Sequence, residues 1–131
     1  RDIWSVDAEA PVLAAIRMMA ERGVGALPVM HEGRLAGMVS ERDYARKVIL
    51  MGRASADTPV ARIMSAPVIT VGPDEQVRRC MELMTEKRIR HLPVVDAGGR
   101  MVGMVSIGDL VRAVIEEQQE TIEQLEKFIA G

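Results

Sequence analysis

Aromatic residues are almost missing from this chain, with one Trp, one Tyr and one Phe in 131 residues. Surfaces that hold single-stranded nucleic acid stack bases on aromatic rings inside a basic groove. Here 17 Lys and Arg are outnumbered by 19 Asp and Glu, for a net charge of −2. Phosphate neutralisation, the main source of sequence-independent nucleic-acid affinity, therefore has little to work with. No apolar run approaches the ~20 residues that span a bilayer. The opening Arg1-Asp2-Ile3-Trp4 lacks a signal-peptide pattern. The cytoplasm is the expected location, or an organelle if a targeting segment was trimmed ahead of Arg1, where no initiator Met stands.

Cysteine is equally scarce. Cys80 stands alone, which excludes an internal disulfide and points to a reducing compartment. Its place in an apolar helical pattern reads as a small hydrophobe rather than a nucleophile. The two histidines, His31 and His91, occupy unmatched positions and no Cys or carboxylate cluster completes a coordination set, so no metal is expected. There is no Gly-x-x-x-x-Gly-Lys loop, no nucleophile with a matched base and no pair of catalytic acids, and the chain does not read as an enzyme.

What is present is the balance of a globular domain, 48% hydrophobic and 27% charged. Ten Met residues make the core aliphatic and adaptable. The chain also repeats itself at a spacing of about 65 residues. Val6-Asp7-Ala8-Glu9 lies over Val71-Gly72-Pro73-Asp74, Met19 over Met84, and Leu27-Pro28-Val29 over Leu92-Pro93-Val94. After one inserted residue at Gly98-Gly99, Gly37-Met38-Val39-Ser40 lies over Gly103-Met104-Val105-Ser106 and Asp43 over Asp109. Each copy reads as helix, hairpin, helix. The first helix starts near Pro11 or Asp74, with Val12, Ala15, Ile16 and Met19, or Val77, Cys80, Met81 and Met84, at helical spacing. The hairpin strands are apolar on both faces, as strands covered by helices should be. The last helix begins at Ser40 or Ser106, and Gly52 is placed to end the first of these. Residues 53–59 read as a linker and Val60 to Ser65 as a short helical lead into the second copy. The tail 116–130 carries Ile122, Leu125 and Ile129 on one stripe, to be covered either by its own domain or by a partner helix.

Three motifs taken together carry a family resemblance: Met-Ser-Ala-Pro-Val-Ile-Thr-Val at 64–71, Arg-His-Leu-Pro-Val at 90–94, and Gly-Met-Val-Ser-Ile-Gly-Asp at 103–109. With the Gly-x-x-Ser-x-x-Asp ending in both copies, the chain resembles a tandem pair of cystathionine-β-synthase (CBS) motifs, or Bateman module, of the stand-alone bacterial and organellar kind. The resemblance implies an α/β (α+β) fold in which each motif is a small mixed sheet with two helices and the two pack about a pseudo-twofold axis. It assigns 1–52 to the first motif, 53–59 to the linker, 60–115 to the second and 116–131 to a C-terminal helix. It also implies a regulatory module, commonly a homodimer, that binds AMP, ADP, ATP, S-adenosylmethionine or NAD(H) and modulates a protein target. No cofactor is required. The alternative is an interaction or oligomerisation scaffold with vestigial clefts.

The residues implied as ligand-binding are Ser5, Val6, Ala26, Leu27, Pro28, Ser40, Arg42 and Asp43 in the first copy. In the second they are Thr70, Val71, Arg90, His91, Leu92, Pro93, Ser106, Ile107 and Asp109. A carboxylate has two acceptor oxygens for the neighbouring hydroxyls of a ribose, and Asp43 and Asp109 suit that role. Each stands one turn into a helix, whose exposed amides favour a phosphate. Ser-x-x-Asp also makes a capping box, in which the acid serves only the helix, and both roles remain open at this point. The second copy is better equipped. Arg90 and His91 are matched in the first copy by Gly25 and Ala26, and Thr70 by Ser5. Arg42 either reaches a phosphate or is simply solvated.

Overall fold

A computed structural model describes residues 4–130, with Phe128 and Ala130 described by backbone alone. The opening residues Arg1 to Ile3, read for a leader, and the terminal Gly131 lie outside the described residues. The chain divides into two units, Arg1–Ile69 and Thr70–Gly131.

The first unit holds β1 (Val6–Asp7), α1 (Val12–Arg22), β2 (Ala26–His31), β3 (Arg34–Ser40) and α2 (Glu41–Tyr44). Its sheet has the order β1-β2-β3, with β1 parallel to β2 through Val6 opposite Val29 and β2 antiparallel to β3. The hairpin closes on Glu32 and Gly33, both at positive φ (49° and 76°). This is the twist that a two-residue connection between right-twisted strands demands. The apolar faces of α1, β2 and β3 meet in a core of Val12, Ala15, Met19, Leu27, Val29 and Val39.

Residues 53–69 belong to this first unit by contact. The lead at 60–65 is a single 3-10 turn, Val60–Arg62, and Val60 and Ile63 are fully buried in the first unit's core. The backbone agrees, because Val60 N–H donates to Ala10 O, Ala61 N–H to Ala8 O, and Ser65 exchanges two hydrogen bonds with Met38.

The second unit holds α3 (Val77–Lys87), β4 (His91–Val95), β5 (Met101–Ser106) and α4 (Ile107–Ala130). Its hairpin repeats the first in detail: a bulge falls between Val94 and Val95 where the first copy has one between Val29 and Met30. The counterpart of β1 shrinks to one parallel bridge, Val71 opposite Val94. Cys80, Met84, Leu92 and Leu110 are buried.

The helices differ from the sequence reading in two places. α1 starts at Val12 next to its N-cap Pro11, as read, but α3 starts at Val77 instead of near Asp74. Glu75 N–H bonds to Gly72 O in a turn there, so Asp74 is spent before the helix begins and no acid lies in the first turn of either helix. The last helix of the first unit changes its winding: α2 passes directly into a π-helical stretch over Ala45–Ile49, and Gly52 at φ 68° follows its end. Its counterpart α4 runs on without interruption for 24 residues, so the tail is one helix with the second unit's last element.

Candidate functional site

In the second unit the candidate residues converge on one end of the hairpin. His91, which opens β4, is the register partner of Ser106, which closes β5, and Ile107 N–H donates to Arg90 O at 2.9 Å. Val71 joins from the other side, its N–H donating to Pro93 O at 3.1 Å and its carbonyl accepting from Val95 N at 2.9 Å. Thr70-Val71, Arg90 to Pro93 and Ser106 to Asp109 are therefore neighbours. The first unit gathers Ser5-Val6, Ala26 to Pro28 and Ser40 to Asp43 in the same way, through Val6 opposite Val29, Ala26 opposite Ser40, and Glu41 N–H donating to Gly25 O.

Burial sorts these residues by what they can offer. Val6, Ala26, Leu27 and Pro28, with Val71, Leu92 and Pro93, are buried, and their side chains belong to the core. They can meet a ligand only through backbone groups. Ser5, Ser40, Asp43, His91, Ser106 and Ile107 are half-buried, while Arg42, Thr70, Arg90 and Asp109 are exposed.

Both Ser-x-x-Asp sequences form a complete capping box. Asp109 Oδ2 accepts from Ser106 N–H and from Ser106 Oγ, each at 2.9 Å, and Ser106 Oγ accepts from Asp109 N–H at 3.2 Å. Asp43 repeats this with Ser40 at 3.0, 3.0 and 3.1 Å. The box uses one carboxylate oxygen and leaves the other, and there the two copies part. Asp43 Oδ1 lies 3.3 Å from Lys47 Nζ, which also donates to Ile63 O at 3.0 Å. The Asp43 side chain is only 15% exposed and is tied to the first unit's own closing segment. Asp109 Oδ1 faces Arg112 at 3.5 Å, with its side chain 50% exposed. The Ser106 amide holds the Asp109 carboxyl below its ordinary range against the opposing effect of burial, helped by the Ser106 hydroxyl and the charges of Arg112 and His91. The site is thus a half-exposed carboxylate that faces Arg112 through Oδ1, with His91 nearby, at a helix N-terminus.

Lys47 and Arg112 were not foreseen as parts of the two sites. Their spacings from the aspartates, i+4 and i+3 along a helix, are the signal that would have found them. No group of His, Cys, Asp or Glu among the described residues could hold a metal ion.

Comparison with known proteins places the chain in a family. The CBS domain family matches residues 1–50 and 60–116, and the chain belongs to that family. The mitochondrial CBS domain-containing protein CBSX3 of Arabidopsis thaliana is 48% identical over 125 residues, 92% of this chain and 60% of that protein. The chain thus spans about 60% of the length of that relative. The structure of a CBS-domain protein from Burkholderia ambifaria MC40-6 superposes with a TM-score of 0.86 at 51% identity, covering 90% of this chain and 86% of that one. Two more distant structures hold adenosine ligands. CBSX2, at 26% identity and a TM-score of 0.72 over 89% of this chain and 90% of its own, is in complex with AMP. The CBS domain pair of protein MJ0100, at 25% identity and 0.80 over 89% and 91%, is in complex with 5′-methylthioadenosine and S-adenosyl-L-methionine.

Proposed function

We propose that this chain is a regulatory module that binds an adenine nucleotide at the second unit's site and passes its occupancy to a protein target, with a homodimer as the working form. The observation that carries the proposal is the asymmetry of the two carboxylates. Each faces a cation through Oδ1, but the Asp109 side chain is 50% exposed beside Arg112 whereas that of Asp43 is 15% exposed beneath Lys47, which is also tied to Ile63 O. Asp109 Oδ1 accepts a ribose hydroxyl while Oδ2 continues to cap α4. Arg90 and His91 face the phosphate near the positive end of the α4 dipole, a placement that favours an anion. Thr70 and the backbone of Val71 border the base. CBSX2 with AMP and the MJ0100 pair with its two adenosine ligands supply the precedent for the ligand class.

No catalytic step is part of the proposal. The mechanism is linkage: a nucleotide that joins Thr70, Arg90 to His91 and Asp109 stabilises the arrangement in which all are in reach, by no more than its differential affinity for that arrangement. AMP, ADP or ATP would make the signal cellular energy, NAD(H) the redox state, and S-adenosylmethionine the methyl-donor supply. The test is urea unfolding of ligand-stripped protein with each in turn. A ligand that binds only the native state at 100 times its Kd adds about 2.7 kcal/mol. A rise of that order with at least one nucleotide supports the proposal, and no rise with any of them overturns it.

A further inference from the structure

The later turns of α4 leave their apolar side chains uncovered. Ile115, Ile122, Leu125 and Ile129 are 58%, 48%, 56% and 83% exposed, and Val111 is 42% exposed. Their own domain therefore leaves this stripe uncovered. Val111, Ile115, Gln118, Ile122, Leu125 and Ile129 succeed one another at alternating steps of four and three, the period of a coiled-coil seam. In heptad letters Ile115, Ile122 and Ile129 are a positions, and Val111, Gln118 and Leu125 are d positions. Charge is kept off the seam: Glu116, Glu117, Glu120, Glu123 and Lys127 fall at the outer b, c and f positions. A shallow hollow bordered by Val114, Gln118, Thr121 and Ile122 runs beside it.

We propose that this seam binds the same helix of a second copy of the chain, in a parallel two-stranded coiled coil from Val111 to Ile129. The sequence of the seam chooses the occupant. Ile at all three a positions, with Leu125 at one d position, suits two parallel strands. Gln118 fixes orientation and register. In a parallel pair it meets the other Gln118 and the two amides can hydrogen-bond, whereas an antiparallel pair places it against an Ile and leaves a polar group unpaired in an apolar layer. The flanking positions agree, since Val114 and Thr121 at g meet Gln119 and Glu126 at e of the partner, with no like charges opposed. A seam this short would be marginal as a free peptide. It holds here because the first turns of α4 are anchored by the Asp109 cap and by buried Leu110. The inference extends the homodimer in the proposed function and rests on it only in requiring self-association; the nucleotide site does not enter.

The test is sedimentation velocity of the 131-residue chain at micromolar concentration, with and without the paired changes Ile122→Glu and Leu125→Glu. These residues are exposed, so the variant should keep its circular dichroism and its nucleotide affinity. A dimer that becomes a monomer in the variant is expected. A monomeric parent, or a dimer that survives both changes, overturns the proposal. Orientation is read by oxidative cross-linking in a Cys80→Ala background: Leu125→Cys should link to itself readily and Glu123→Cys should not. Equal linking of the two overturns the parallel register.

Discussion

Replacing the two matched aspartates separates a helix cap from a ligand site. Asp109→Asn keeps an oxygen able to accept from Ser106 N–H, now at 2.9 Å to Oδ2, but removes the negative charge that faces Arg112 and His91. Hydrogen bonds to charged groups contribute about 1.5–3 kcal/mol where neutral ones contribute about 0.5–1.5. Losing the charge against a ribose hydroxyl therefore removes about 1–1.5 kcal/mol and should weaken nucleotide binding by roughly fivefold to tenfold, at about 1.4 kcal/mol per tenfold. Asp109→Ala loses the cap as well and should cost a further ~0.5–2 kcal/mol of folding stability. Asp43→Asn breaks the Lys47 pair and weakens the first unit's capping box, so it should lower stability but change affinity less than about twofold, well inside one tenfold step. Isothermal titration for affinity and urea unfolding for stability read the two effects apart. If Asp109→Asn binds like the parent, or Asp43→Asn weakens binding as much as Asp109→Asn, the division of roles is refuted.

Gly37→Ala and its counterpart Gly103→Ala should differ. A Cβ at Gly37 would stand 2.7 Å from Met64 Sδ and 2.9 Å from the Ser65 carbonyl, and one at Gly103 would meet nothing within 4 Å. The first should cost about 1–3 kcal/mol and the second stay within about 0.5 kcal/mol; equal urea midpoints would contradict this. Asp109 also predicts a pH dependence. Its carboxyl lies below the ordinary 3.8 in the folded state, so its ionisation stabilises the fold above that pH and the contribution disappears as pH falls through the folded value. The stability gap between parent and Asp109→Asn should shrink on acidification from neutrality to below 3.8, and a gap that widens would reverse the sign. Burial, with the charge of Glu75, pushes the Cys80 thiol up from its ordinary value. Labelling by a disulfide reagent at mildly alkaline pH should be slow in native protein and fast in urea, and equal rates would place Cys80 at the surface.

The repeat made most of this structure readable in advance. Short apolar runs around turn residues placed both hairpins, the period-3.6 pattern placed the first helix of each unit, and a repeated Ser-x-x-Asp marked both helix starts because a cap is a local device. What was not readable depended on contacts distant in sequence. Residues 60–63 look like a lead into the second copy, yet Val60 and Ile63 complete the first unit's core. The three-residue error at Asp74 arose because an acid near a helix start serves a turn as well as it serves a helix. The contrast between Asp43 and Asp109 rests on Lys47 reaching Ile63 O from another segment, which no pattern within one copy reports. The capping box at Asp109 occupies Oδ2, and Oδ1 faces Arg112 in a half-exposed side chain.

Whether one nucleotide sits at Asp109 is decided by calorimetric titration of ligand-stripped protein with AMP, ATP, S-adenosylmethionine and NADH, read for stoichiometry as well as affinity. At least one of the four should bind, one molecule to each chain, with the heat abolished or strongly reduced in Asp109→Ala. Absence of heat with all four, or two equivalent molecules bound to each chain, would contradict a single nucleotide site in the second unit.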